Sequence, residues 1–344
     1  MKKKISKAIV TGGAGFIGSH LVEALVSRGV ETYVIDNLDT GSLSNVSHLL
    51  DDQKDTKEDN RGRLHVIIGD IRNIDKLLHH VTDVDIIFHQ AAMANVKKSI
   101  DDPIAVNDVN VVCTLKVLNF ALKMGVSKFL FASSAAVYGE IPDTLPSASE
   151  ELCCAPMSPY GASKLASEAY LSAFEKSYGL KTTILRYANV YGPRQQSSSD
   201  YSGVITIFTN GILSCKTPVI YGDGLQVRDF IHVSDVVRAN LIAAESDEAS
   251  GETFNVGSGV SISINHLLAA LSRLIFPNSE PLQARYLPPK TGDTRKGIMS
   301  IEKIKRKLGY SPSISIETGL SDVIRYYKLK NGVVENEEFP ETFA

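Results

Sequence analysis

Four cysteines in 344 residues are few, and Cys113, Cys153, Cys154 and Cys215 have neither zinc-ligand spacing nor the density of a disulfide scaffold. A reduced, cytoplasmic protein is the expectation. Charge of one sign is also scarce. The formal net charge is −3, which gives no electrostatic case for nucleic acid as a partner. No apolar run approaches the roughly 20 residues that a membrane span needs, so no membrane contact is expected. The basic start, Lys2-Lys3-Lys4, leads into Ile5 to Val10, an apolar stretch too short for a secretory signal. Repeats and low-complexity tracts are missing as well. A chain that is 43% hydrophobic and 22% charged is ordinary for a globular protein. At this length one large domain or two interleaved ones is expected.

What is present is an ordered alternation. Ala8-Ile9-Val10 reads as a short strand running into Thr11-Gly12-Gly13-Ala14-Gly15-Phe16-Ile17-Gly18. A helix follows through Leu21, Val22, Leu25 and Val26, and a second strand, from Glu31, ends at Asp36. Strand, glycine turn, helix, strand and terminal acid make one dinucleotide-binding unit. Gly12 permits the tight turn, Gly15 lets the backbone approach a pyrophosphate, and Gly18 lets helix and strand pack closely. The helix start offers amides to phosphate. A carboxylate at Asp36 accepts both ribose hydroxyls and repels a 2′-phosphate, which selects NAD over NADP.

Further strands are expected at His65 to Ile68, Asp85 to His89, Lys128 to Ala132 and Lys181 to Arg186. Their ends carry Asp70-Ile71, Gln90-Ala91-Ala92, Ser133-Ser134 and Tyr187-Ala188-Asn189. Asp70 and Ile71 are candidates to contact adenine, or are ordinary turn residues. A long helix is expected from Pro103 to about Met124; Asn110 within it either ties strand ends together or touches a ligand. The charged run Asp51 to Arg63 reads as a solvated insertion. After Pro193 the pattern loosens, with helices near 203–214, 234–246, 264–275 and 301–308 and short strands near 218–221, 229–232 and 253–256.

The stretch that the rest serves is Tyr160-Gly161-Ala162-Ser163-Lys164. At a helix start, i and i+4 share a face. A cation one turn from a phenol lowers a pKa that is ordinarily about 10. Alone, that spacing is as readily a chance match on an amphipathic helix.

Taken together, TGGAGFIGSH from Thr11, Asp36, GDIRN from Gly69, HQAA from His89, SSAAVYG from Ser133, YGASK from Tyr160, RYANVYGPR from Arg186 and GDGLQVRDFIHVSDV from Gly222 resemble the extended short-chain dehydrogenase/reductase family, and within it the nucleotide-sugar 4-epimerases. The resemblance implies an α/β fold: a Rossmann-type doubly wound parallel sheet over 1–188, to which the chain returns around 230–256, and a smaller α/β UDP-sugar lobe over 189–344. It implies a bound NAD held by Gly12, Gly15, Phe16, Ile17, Gly18, Asp36, Asn37, Asp70, Ile71, Gln90, Ala91, Ala92, Asn110, Ser133, Tyr160, Lys164 and Tyr187. Tyr160 would be the catalytic base, Lys164 would lower its pKa, and Ser134 would hold the sugar oxygen. The sugar nucleotide would meet Ser134, Ala135, Tyr160, Asn189, Val204, Tyr221, Arg228, Lys290, Asp293 and Gly297, with Asn189 and Arg228 at the diphosphate; a plain ion pair is the other reading of Arg228.

Related dehydratases and decarboxylases carry acidic residues after the hydroxyl residue, whereas this chain has Ala135-Ala136. Epimerisation at C4 is therefore the expected reaction. Gly297 stands where hexose-restricted relatives carry a tyrosine, which leaves room for a 2-acetamido group. Lys290 replaces a common arginine, and Ala94 a lysine of some hexose epimerases. A UDP-glucuronic acid 4-epimerase, using Lys290, Arg295 or Lys296 on the carboxylate, is the sibling alternative; a non-catalytic NAD-binding regulator is the alternative of another class. The family's four-helix-bundle dimer would use the helix after Pro103 and the helix bearing Tyr160.

Overall fold

The computed structural model describes residues 5–51, 62–196, 203–278, 280–289 and 294–332. Lys290 and Asp293 lie outside the described residues, as does most of the charged run that begins at Asp51. Seven strands form one all-parallel sheet: β1 (Lys7–Thr11), β2 (Glu31–Asp36), β3 (Leu64–Ile68), β4 (Ile86–His89), β5 (Lys128–Ser134), β6 (Lys181–Tyr187) and, after an excursion of the chain, β10 (Glu252–Val256). Their spatial order is β10-β6-β5-β4-β1-β2-β3. The order reverses between β1 and β4, which opens the crevice at the carboxyl ends where a doubly wound sheet takes its ligand.

Helices cover both faces, so successive residues of a strand enter opposite cores. In β1, Ala8 and Val10 join Leu21 and Leu25 of the first helix (Phe16–Ser27) and Val236 of the helix Val233–Glu245. Ile9, between them, faces Phe129, Phe131, Val117 and Leu171 on the other side. The returning segment thus supplies both a strand beside β6 and a helix against the first helix.

Segments from both sides of β10 in sequence form a second, smaller sheet. In it β9 (Val227–His232) is flanked by β11 (Ser261–Ser263) and β13 (Lys296–Gly297), and β7 (Asn189–Tyr191) also pairs with β9. A separate two-stranded pair joins β8 (Val219–Tyr221) to β12 (Arg285–Leu287). Phe208, Leu267, Leu271, Leu320 and Tyr327 make the core of this lobe.

The expected helix from Pro103 is interrupted. It begins as α-helix over Pro103–Asn107, widens to a π turn over Asp108–Val112 and resumes over Cys113–Lys123. One extra residue in a turn releases backbone groups from the regular ladder. Here the carbonyl of Asn110 accepts from Thr114 Oγ1 at 2.6 Å and from Ser167 Oγ on the helix Pro159–Tyr178 at 2.8 Å. This stretch of 21 residues, Pro103–Lys123, is long and apolar enough to span a membrane by length and composition, more so than its sequence suggested. Its Cys113, Val117, Leu118, Phe120 and Ala121 are buried over the sheet instead.

Candidate active site

At the end of β1, Gly12 has φ +69°, a left-handed turn that glycine adopts without strain. Its amide donates to Ile35 O at 2.8 Å, and a Cβ on it would lie 2.8 Å from Ala91 N. Gly15 is the N-cap of the first helix and offers no side-chain cap. The first-turn amides therefore have no side-chain cap, and a helix start left uncapped in this way is suited to a diphosphate. A Cβ on Gly18 would stand 2.1 Å from Gly12 O. Gly18→Ala must push backbone from backbone; a loss of about 1–3 kcal/mol, read as a lower melting temperature, is expected together with loss of co-purifying nucleotide.

Asp36 ends β2 and is 7% exposed. Its carboxylate accepts from Ala14 N at 3.0 Å and Leu38 N at 2.8 Å, so both oxygens are fixed at the rim of the crevice. Asn37 donates to Asp70 at 3.3 Å. Asp70 in turn caps the 71–73 turn and pairs with Arg72 at 2.8 Å, which is the turn-residue role. Ile71 is buried in the second apolar cluster. Gln90 donates to the Tyr187 hydroxyl at 3.1 Å, and Asn240, which sequence reasoning did not single out, donates to the same oxygen at 2.8 Å. Asn110 takes the tying role: it bonds Met93 N at 2.8 Å, Met93 O at 3.1 Å and Ser163 Oγ at 2.9 Å.

A chain of hydrogen bonds runs under Ala91. Thr114, which donates to Asn110 O, faces His89 Nε2 at 2.9 Å; His89 Nδ1 meets Thr11 Oγ1 at 2.7 Å, and Ala91 N donates to Thr11 Oγ1 at 3.3 Å. Burial pushes the imidazole down to about 3, so His89 is neutral, and its partners place the proton on Nε2.

The helix that bears Tyr160, Pro159–Tyr178, starts with Ser158 as N-cap and proline at N1, and ends on Gly179 with φ 73°. These are the start and stop signals the sequence carries. A Cβ on Gly161 would lie 2.5 Å from Ala136 O. That close approach sets the first turn, with Tyr160, against the segment that follows Ser134 at the end of β5. Burial of the phenol raises the Tyr160 pKa, although the residue as a whole is only half-buried at the mouth of the cleft, and the Ser134 bond works in the opposite direction. Lys164 is 3% exposed, donates to Ala132 O at 2.8 Å and lies 4.8 Å above the Phe131 ring. Burial pushes its ammonium down to about 7, against the pull of Glu168. Lys164 is held by a main-chain carbonyl, because a buried ammonium needs an acceptor.

The pairing of β7 with β9 brings Asn189 beside Phe230, close to Arg228, and Gly297 lies directly opposite Arg228 on β13. Asn189 donates to Asp229 O at 3.2 Å. A Cβ on Gly297 would approach Arg228 Cδ to 3.1 Å. Val204 begins the helix Val204–Leu213, and Tyr221 ends β8. Next to Tyr221 a cleft is lined by Gly222, Asp223, Tyr286 and Leu287, and Arg295 forks onto Asp223 with two bonds of 2.9 Å. Lys296 donates to Leu145 O.

A family model described as NAD dependent epimerase/dehydratase matches residues 8–257, spanning β1 through β10. The chain belongs to the NAD-dependent epimerase/dehydratase family. A protein of Methanocaldococcus jannaschii named as a putative UDP-glucose 4-epimerase is 36% identical, with 94% of this chain and 99% of that one covered. The crystal structure of UDP-glucose 4-epimerase with UDP-glucose from Thermotoga maritima superposes with a TM-score of 0.84 at 37% identity, covering 94% and 99% of the two chains. UDP-N-acetylglucosamine 4-epimerase of Methanobrevibacter ruminantium, in complex with UDP-N-acetylmuramic acid, gives 0.84 at 36%, covering 95% and 100%. Relatives named as a decarboxylase and as 4,6-dehydratases share the family. The fold is that of the extended short-chain dehydrogenases, and the cofactor is NAD. The glycine cradle, the uncapped helix start and the fixed Asp36 carboxylate fit it. Among the described residues no His, Cys, Asp and Glu cluster suits a metal.

Proposed function

We propose that this enzyme is a UDP-sugar 4-epimerase that inverts C4 through a 4-keto sugar. The observation that carries the reading is the contact of Tyr160 with Ser134, one helical turn from buried Lys164, next to Ala135 and Ala136, which have no proton to move. Tyr160 takes the proton of the C4 hydroxyl and later returns it. Ser134 holds the same oxygen as a neutral donor while charge develops there. Bound NAD supplies the hydride acceptor and donor. Lys164 secures the first helical turn to the end of β5. Dehydration or decarboxylation would call for a further acid or base beside Ser134, and the two alanines provide none.

Asn189 and Arg228 hold the diphosphate, for which a guanidinium is the suited group. Gly297 leaves space beside Arg228 where a larger side chain would crowd both the guanidinium stem and the sugar. That supports UDP-N-acetylglucosamine and UDP-N-acetylgalactosamine as substrates, together with the smaller UDP-glucose and UDP-galactose. Of the three cations the uronate alternative would use, Arg295 is matched by Asp223 and Lys296 by Leu145 O, and Lys290 lies outside the described residues. Product analysis after incubation with a panel of UDP-sugars tests the reading. Interconversion of the N-acetylated pair is expected. Failure on both neutral pairs would defeat the proposal, and turnover of UDP-glucuronate alone would replace the substrate.

The same reading includes a homodimer. The helix from Pro103 and the catalytic helix carry Ile104 (81% exposed), Val112 and Tyr170 outward, and a second copy would cover them. A dimer mass in sedimentation is the expected result; Ile104→Lys should shift it towards the monomer.

A further inference from the structure

Behind the catalytic face lies a buried network that the proposed chemistry does not use. Glu168, two turns beyond Tyr160, accepts from Ser133 Oγ and from Arg186 at 3.0 and 2.6 Å. Arg186 also donates from Nη1 to the Tyr138 hydroxyl at 2.9 Å, with its guanidinium 4.9 Å from the centre of the Tyr138 ring. The Tyr138 hydroxyl donates to Asn255 Oδ1 at 2.7 Å. Asn255 then donates both amide hydrogens, to Ala148 O and to Ser300 O, each at 3.0 Å. Its orientation is fixed by its partners, since a flipped amide would set an oxygen against two carbonyls. Tyr138 is 1% and Asn255 0% exposed.

Ala148 and Ser300 belong to a strap that reaches the sugar-nucleotide lobe. Ala148 N donates to Ile298 O at 3.0 Å, and Ser300 N donates to Ala148 O at 2.8 Å. One residue before Ile298, Gly297 pairs with Arg228. At the outer end Lys296 holds Leu145 O. An unbroken series of directed bonds therefore joins the strand of Arg228 to Ser133, the neighbour of Ser134.

We propose that Tyr138 and Asn255 are positioning residues that couple occupancy of the diphosphate strand to the placement of Ser134 and Tyr160. The roles of those two catalytic groups rest on the function proposed above. Such coupling needs a continuous physical connection and a measurement that sees both ends. Tyr138→Phe cuts the relay at the catalytic end. Asn255→Asp keeps the acceptor for Tyr138 and loses both donors to the strap, so it cuts the relay at the lobe end.

The test is hydrogen exchange of the NAD-loaded protein with and without UDP, a ligand that reaches the lobe and carries no sugar to react. In the unmodified chain UDP should slow exchange over residues 134–139 about fivefold, and each variant should lose this protection while still binding UDP. Protection that persists in either variant, or that never arises in the unmodified chain, overturns the proposal. Lys296→Met releases the strap at its outer end and gives the same reading if Asn255→Asp does not fold. With a substrate, each single variant should lower kcat about tenfold with KM little changed, and the double variant should fall no further than the worse single. Multiplying effects would overturn it. Absence of turnover in the unmodified chain counts against the function and leaves the exchange result standing.

Discussion

Tyr160→Phe is expected to abolish UDP-sugar interconversion while NAD stays bound. The change removes one oxygen and keeps the ring, so packing of the helix Pro159–Tyr178 is kept. What is lost is the hydroxyl assigned the proton transfer. Proton transfer by a positioned side chain contributes about 10²–10⁴-fold, and kcat should fall by that factor at unchanged nucleotide content. A variant with normal kcat would remove Tyr160 from the chemistry. Ser134→Ala gives the companion result in pH. The Ser134 bond lowers the phenol pKa against burial, so deleting it must raise that pKa. Activity that depends on the phenolate then rises with pH later, and the acid limb of the kcat profile should move to higher pH.

The largest loss of stability should come from Glu168→Ala. Glu168 and Arg186 are 6% and 7% exposed as side chains, and their bonds leave neither to water. Removing the carboxylate strands a guanidinium that cannot give up its proton. Breaking a buried pair in this way costs about 3–5 kcal/mol, which a urea titration would show as a lower midpoint at constant slope. The surface pair of Lys181 and Asp247 has the same kind of contact, 3.0 Å, but side chains 54% and 82% exposed. Asp247→Ala should leave the midpoint nearly where it is, because solvent screens an exposed pair. Equal effects of the two changes would show that burial is not the deciding factor.

The nucleotide-binding half could be read from sequence because its constraints are local. A turn with φ +69° at Gly12 and a 2.1 Å approach at Gly18 admit little besides glycine, and the helix that follows buries Leu21, Val22, Leu25 and Val26 at the expected period. The helix Ile316–Lys330 was missed because its apolar residues are diluted by Glu317, Asp322, Arg325, Lys328 and Lys330; only tertiary packing of Leu320, Val323 and Tyr327 makes it stand out. Strands as short as β11 and β13 have no period to detect. The π turn at Asn110 depends on partners across the helix interface, which no window along the chain contains. Glu168 did leave a trace, since Tyr160, Lys164 and Glu168 fall at i, i+4 and i+8 on one face. Its value shows only with Arg186 from a distant strand.

The late arrival of β10 has a consequence for biosynthesis. Until Glu252–Val256 is made, β6 is an open, apolar edge of a parallel sheet, with Ile184 and Leu185 lacking their partners Thr253 and Phe254. Such edges recruit other chains. A nascent or truncated protein that stops inside the smaller lobe is thus a candidate for chaperone capture rather than a free nucleotide-binding module, and the two halves of this enzyme are obliged to mature together.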